Sequence, residues 1–265
     1  MTTPELDAPA LDIARRLAEE GDLDGSARIL AELVADPDSP DRAQAAVGLA
    51  VVLDERGDVE GARRAARTAL ATGHPEFAAQ AACHLAGSYE REGRLDAARQ
   101  AWQEVLGVGN AAYLPLAHMA LARLAAADGD AGEVERALRE ALATGDADVV
   151  SRAAQWLAEQ LLEQGRPGEA ADVLETALSS PQVDRVERLR VLLGIAHLEL
   201  ACTQFAAAVE EGTDPDTGAL AIELLARTLP LRGRDEEAEA VWRYGLEHPD
   251  EYLADQVRLR MNRDL

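Results

Sequence analysis

One pair of neighbouring residues carries the side chains of a nucleophilic dyad, because Cys83 is followed directly by His84. A histidine can activate a thiol only when the two side chains face each other, and neighbours on a helix point about 100° apart. We therefore predict that this pair packs in a helical core or groove. The other four histidines form no HExxH motif, and no GxSxG motif supplies a serine nucleophile.

Two further segments resemble ligand-binding loops only in part. Residues 107–110 (GVGN) follow a helical pattern instead of a strand and lack the Lys-Ser/Thr of a phosphate loop. Residues 214–218 (DPDTG) begin like a calcium loop, but Leu225 stands where the bidentate glutamate belongs. We interpret them as a helix end and a linker. The sequence predicts no catalytic residues, no metal site and no cofactor, and we expect no enzyme; an unrecognised enzymatic site stays a remote alternative.

The composition limits which binding partners and which cellular compartment are expected. The chain of 265 residues has 49 acidic and 26 basic residues, for a net charge of −23, and every basic residue is an arginine. Nucleic acid is an unexpected partner, because phosphate binding needs a cationic surface. Two distant cysteines predict no disulfide framework. The first residues lack the pattern of a signal peptide, and no uncharged stretch approaches a membrane span. We expect a cytoplasmic protein without membrane contact.

A period of 36 residues organises the chain. Glycines 21, 57, 93, 129 and 165 are spaced by this step, and glycines 73, 109 and 145 share the same register. Each glycine of the first set lies between two segments whose apolar residues recur at helical spacing. The second set follows the later helix of a unit, where a left-handed residue is expected. The repeating unit is therefore predicted to be a helical hairpin.

Small residues recur where the two helices of a hairpin must cross closely. A backbone approaches its neighbour only where the side chain is short. The slot in the second helix is filled by Ser26 and Val134 in two units and by alanine in the others. The alanines that define the two crossing slots are Ala50, Ala86, Ala122 and Ala158 in the first helix and Ala62, Ala98 and Ala170 in the second.

The chain resembles the tetratricopeptide repeat family over about residues 7 to 250. The positions that carry the resemblance are Leu85-Ala86, Tyr89, Gly93, Leu95, Ala98 and Trp102. The resemblance implies an all-α fold, a right-handed α-α superhelix of about seven antiparallel helix pairs. The solenoid is predicted over 1–250, with units that start near 7, 41, 77, 113, 149, 185 and 218, and a capping helix over 251–265.

The period weakens after residue 200. Ala201 stands where the next turn glycine belongs, so the first helix of the sixth unit is expected to run straight on. A second helix is predicted from about Gln204, and Pro230 should end or kink the first helix of the seventh unit. In the tail, Leu253, Val257 and Met261 are spaced for one face of a final helix.

The resemblance also implies that the first helices line a concave face. We predict a protein-interaction scaffold that binds a peptide or helix there; the alternative is a bacterial sensor that binds a small peptide or metabolite. Arg123, Arg152 and Arg188 could form a cationic patch beside Trp156, or they could pair with neighbouring acids. The predicted groove residues are Gln44, Gln80, His84, Arg123, Arg152, Gln155, Trp156, Glu159, Arg188 and Arg227.

Overall fold

The computed structural model describes residues 9–180, 183–212 and 214–262. In these ranges the chain forms fourteen α-helices and one 3-10 helix, and no strand. The predicted start of the first unit near residue 7 and the last three residues of the predicted capping helix lie outside the described residues. The prediction of an all-α helical repeat is confirmed, whereas the handedness of the superhelix stays a prediction.

The chain divides into two compact units after Ala153, within helix α9 (Ala147–Glu163). The first unit contains four helix pairs in sequence. They are α1 (Ala10–Glu19) with α2 (Leu23–Ala35), α3 (Arg42–Glu55) with α4 (Val59–Ala71), α5 (Pro75–Arg91) with α6 (Leu95–Val108), and α7 (Leu114–Ala127) with α8 (Ala131–Ala143).

The second unit begins regularly and then departs from the pair pattern. After α9 come α10 (Pro167–Leu178), the long helix α11 (Val186–Glu211) and α12 (Pro215–Thr228). A 3-10 helix (Leu229–Arg232), α13 (Asp235–Leu246) and α14 (Glu251–Met261) complete the unit.

The predicted turn glycines end the first helix of each regular pair. Gly21 has φ +88°, and the same left-handed conformation recurs at the four equivalent glycines. Two main-chain bonds close the turn: the Gly21 N–H donates to Ala18 O at 3.0 Å, and the Asp22 N–H donates to Leu17 O at 2.8 Å. The Asp22 carboxylate then accepts from Gly25 N–H and caps α2. Local residues alone therefore determine where each hairpin turns.

The predicted crossing slots are buried. The seven alanines that define them are each no more than 1% exposed, as is Val134. The two helices of each pair in the first unit are in contact. The expectation of close helix packing at small residues is confirmed.

Helix α11 is the main departure from the hairpin pattern. The first helix of the sixth unit does run straight on, but no turn separates a second helix at Gln204, and the helix ends only at Glu211. Ala201 cannot adopt the left-handed conformation as readily as glycine, so the helix continues until Gly212, which has φ +44°. The helix contacts α10 on one side and α12 on the other.

Helix α11 is also long and apolar enough to cross a membrane by length and composition alone. This differs from the expectation drawn from the sequence, which found no stretch of that kind. The run from Val191 to Ala208 contains one charged residue, Glu199. The helix contacts α10 and α12, and 11% of its apolar window is buried.

The C-terminal end follows the sequence prediction closely. Helix α12 ends at Thr228, and Pro230 lies in the 3-10 helix that follows. Helix α14 packs against α12 and α13, and it buries Leu253 and Val257. Met261, the third residue of the predicted stripe, is 39% exposed and does not belong to the buried face.

Candidate functional site

The first unit contains an open groove of about 290 Å³. Helices α1, α3 and α5 form most of its lining, and α2 contributes two residues to its floor. All three lining helices are the first helices of their pairs. The sequence predicts that the first helices form the binding face. The lining residues are Leu11, Ala14, Arg15, Ala18, Ser26, Leu30, Gln44, Val47, Gly48, Val51, Val52, Phe77 and Gln80.

The groove is mainly apolar, with a few polar groups. Val51 is 41% exposed on its wall. Gln44 and Gln80, both predicted groove residues, line it from α3 and α5. Ser26 lies in the floor, where its Oγ is buried and has no hydrogen-bond partner among the described residues. An apolar site with a few polar groups is the usual character of a ligand pocket.

His84 lies one helical turn beyond Gln80 on α5, but it does not line this groove. Its Nε2 is buried and has no hydrogen-bond partner among the described residues. Burial lowers the pKa of His84, against the opposing effect of the Asp54 carboxylate. The neutral imidazole is therefore favoured in the folded protein.

The arginines of the predicted cationic patch have partners. In the first unit, Arg123 forms an ion pair with Glu90, and the Arg152 Nε donates to the main-chain oxygen of Asp148 at 3.3 Å. In the second unit, Arg188 pairs with Glu159 at 3.2 Å. Arg123 and Arg188 thus pair with glutamates, as the alternative interpretation of the sequence expects.

The remaining predicted residues lie in the second unit. The Gln155 side chain donates to Glu159 Oε1 at 3.0 Å, and Trp156 is half-buried on the same helix. Arg227 is a structural residue: it pairs with Glu223 at 3.2 Å and donates to the main-chain oxygen of Arg260 at 2.9 Å, which joins α12 to the capping helix.

The Cys83 thiol is unsuited to nucleophilic chemistry. Burial raises its pKa to about 11, so the reactive thiolate is scarce at neutral pH. We expect iodoacetamide to alkylate Cys83 about a hundredfold more slowly in the folded protein than in urea, because each unit of pKa removes tenfold of the thiolate. Mass spectrometry of the labelled peptides measures both rates. Equal rates would contradict the raised pKa, and a faster rate in the folded protein would show an activated thiol and reopen the dyad.

The second unit has a groove of its own, of about 450 Å³. Its floor contains Cys202, Leu225, Leu229 and Val241, from α11, α12, the 3-10 helix and α13. Its rim is charged, with Glu199, Glu210, Glu237 and Arg234. In the part of the chain that the structure describes, no group of three histidine, cysteine or carboxylate side chains could hold a metal ion.

Of the thirteen residues that line the first groove, the sequence predicted only Gln44 and Gln80 as groove residues, and Ser26, Gly48 and Phe77 are among the eleven that it missed. The signal for Ser26 was present, since a hydroxyl occupies a slot that other units fill with apolar residues. Gly48 stands 36 residues before His84 and so opens the face where that unit carries an imidazole. Phe77 precedes the stripe that marks α5 and gave no comparable signal.

Successive helix pairs that turn at left-handed glycines 36 residues apart decide the fold class. The fold is tetratricopeptide-like. Solved structures to which the chain is similar include a tetratricopeptide repeat protein from Parabacteroides merdae, 15% identical over 96% of this chain and 98% of that chain, with a TM-score of 0.45. BtubC from P. vanneervenii is 19% identical over 97% and 94%, with a TM-score of 0.47.

A third similar solved structure is the apo form of the quorum sensor NprR from B. thuringiensis. It is 11% identical over 93% of this chain and 75% of that chain, with a TM-score of 0.46. No protein-family model matches the chain. No curated protein matches it either. The function must therefore be argued from the groove itself.

Proposed function

We propose that the chain is a protein-interaction scaffold that binds a partner peptide or helix in the groove of its first unit. The observation that carries the proposal is the groove itself, an apolar channel formed by three successive first helices. Its exposed apolar wall at Val51 and its two amide side chains, Gln44 and Gln80, suit a peptide that buries apolar side chains and presents main-chain groups. Binding by such a surface needs no covalent chemistry.

The groove does not depend on the predicted arginine patch. Arg123 already pairs with Glu90, and binding through its guanidinium would first have to break that pair. Among the described residues that line the groove, Arg15 is the only charged one, and its Nη1 lies 3.7 Å from Asp12 Oδ1. The partner is therefore expected to be held by apolar contacts and neutral hydrogen bonds.

Replacement of Val51 by arginine tests the proposal. Short peptides selected from a random phage-displayed library on the wild-type protein should lose at least about tenfold in affinity for the V51R variant, because the new charge must be desolvated in an apolar site. Fluorescence polarisation of labelled peptides measures the dissociation constants.

Val191 provides the matched control, because it is an exposed valine on α11, outside the groove. The V191R variant should bind the selected peptides as the wild type does. If the peptides bind V51R and the wild type equally well, the proposal that this groove binds the partner peptide is wrong.

A further inference from the structure

The groove of the second unit, which we call the second groove, exists because helix α11 does not turn at Ala201. Six residues of α11 line it, and five of them lie beyond Ala201, on the extension that the regular pairs lack. Their spacing of i, i+3, i+4, i+7, i+8 and i+11 places all six on one face of the helix. They are Glu199, Cys202, Thr203, Ala206, Ala207 and Glu210.

Helices α11 and α13 flank the second groove. Along the start of α13, Arg234, Glu237 and Val241 recur at i, i+3 and i+7 and face it. Leu225 and Leu229 complete the floor from α12 and the 3-10 helix. The α11 side extends over about 17 Å, at roughly 1.5 Å for each residue, so the groove is long enough to hold about three turns of a helix.

The middle of the second groove offers an apolar surface to a partner. Ala207 is exposed, and Ala206 and Val241 are half-buried. Small side chains such as these alanines let another helix approach closely. The apolar face of a bound helix can therefore gain contact area here without displacing a core residue.

The charges of the second groove differ from those of the first. Among the described residues that line it, three are glutamates and one is an arginine, whereas the charged residue of the first groove is Arg15. Two of the glutamates are already paired: Glu237 with Arg234 at 2.7 Å, and Glu199 with Arg232 at 2.8 Å. These pairs balance the charge at one end of the groove and leave the third glutamate, at the other end, in excess.

Glu210 is the glutamate that a cation can reach without breaking an ion pair. It is exposed, and it has no ion pair or hydrogen bond among the described residues. It lies beside Glu211 in the last turn of α11, where the helix dipole adds negative potential and no basic residue compensates. The net charge of −23 attracts cations further, and it disfavours a second copy of this chain as the occupant.

We infer that the second groove docks a basic amphipathic helix of a partner protein. The apolar face of that helix packs on Ala206, Ala207 and Val241, and a lysine or arginine near its end pairs with Glu210. This inference goes beyond the proposed function, because it concerns a different groove, in the other unit, and a partner of different chemistry.

Two fluorescently labelled model helices test the inference. Both carry leucines on one face; the first carries lysines on the opposite face, and the second carries glutamates there. Fluorescence polarisation at physiological ionic strength should show binding of the lysine helix and at least about tenfold weaker binding of the glutamate helix. Equal affinities would overturn the inference, because the charge of the groove would then select nothing.

The A207W variant locates the binding. The indole fills the middle of the second groove, so the lysine helix should lose at least about tenfold in affinity. A240W places the same side chain at an exposed alanine of α13 outside the groove and should bind as the wild type does. T203W, at another exposed position of the groove, replaces A207W if that variant melts at a lower temperature. Equal affinities in all variants would show unspecific attraction to an acidic chain and overturn the inference.

The E210Q variant tests the charged contact. It removes the unpaired carboxylate and keeps its size, so the lysine helix should lose about two- to fivefold in affinity, the range of a solvent-exposed ion pair. E239Q removes the same charge from an exposed position of α13 outside the groove and should leave the affinity unchanged. Equal losses in the two variants would show that net charge, and not Glu210, attracts the helix, and would overturn the inference.

Two further measurements separate this inference from its rivals. Sedimentation velocity of the protein alone tests a second copy as the occupant: a dimer that A207W dissociates would overturn the inference. V51R should bind the lysine helix as the wild type does, whether or not it loses the peptides selected for the first groove. If V51R loses the lysine helix and A207W keeps it, the helix binds in the first groove and the inference is wrong.

Discussion

The R63A variant should lose about 3–4 kcal/mol of unfolding free energy, the largest effect of a single substitution that we expect in the first unit. Arg63 is 1% exposed in α4, and its guanidinium donates to both oxygens of Ser88 on α5, at 3.0 and 3.1 Å. It also lies 4.4 Å from the centre of the Tyr89 ring. Alanine would leave a cavity and an unpaired buried serine.

The ion pairs of Arg63 contribute less to this effect. Glu60 and Glu92 both contact the guanidinium, at 2.8 and 2.9 Å, but their side chains are 65% and 42% exposed. When Arg63 is replaced, both carboxylates return to water, so the loss of these two ion pairs costs little stability. Urea denaturation followed by circular dichroism measures the change in unfolding free energy.

Two variants sharpen the test of Arg63. R64A, at the exposed neighbouring position, should change the unfolding free energy by less than about 0.5 kcal/mol. R63M keeps most of the volume and should recover part of the loss, which separates packing from hydrogen bonding. A wild-type midpoint for R63A would contradict the assignment of this arginine as the link between α4 and α5.

The E223A variant should release the capping helix α14 at a cost of about 2–3 kcal/mol. Glu223 is 7% exposed in α12 and accepts from Arg260 Nη1 at 2.9 Å and Arg227 Nε at 3.2 Å. Removing it leaves two partly buried guanidinium groups without this countercharge. We expect less than the roughly 3–5 kcal/mol of a fully buried pair, since both arginines retain some contact with water.

Hydrogen exchange locates the effect of E223A. Amide protection should fall in residues 251–261 and change little in the first unit, because local opening follows the contacts that are lost. E239A, at an exposed acidic position on α13, is the matched control and should leave protection unchanged. Uniform loss of protection across the chain would show that the effect is global and that Glu223 does not specifically hold the cap.

Much of the fold could be predicted because its signals are local. A left-handed residue must end a helix in a tight turn, and glycine adopts that conformation at low cost, so the spacing of the turn glycines predicted the hairpins. The same logic predicted that the helix would run past Ala201 and that Pro230 would end or kink α12. Full continuity to Glu211 was missed, because the repeat register predicted the second helix of the sixth unit from about Gln204.

The candidate site was predicted only in part. Gln44 and Gln80 line the groove because helical periodicity assigns them to the same face of successive first helices. The arginines proved harder to interpret, since whether a guanidinium is free or paired depends on carboxylates more than 25 residues away in sequence, as with Arg123 and Glu90. Periodicity carries no information about such pairs.

By itself, the sequence determined the helical repeat, its period, the residues at its crossing slots and the place where the regular pattern ends. Those features follow from backbone conformation and side-chain size at single positions. Only the tertiary structure decided which face is open, that Ser26 Oγ is buried without a partner among the described residues, and that Arg63 and Glu223 are buried ion-pair centres. Burial and pairing depend on which distant side chains meet, and this is a property of the packed helices together.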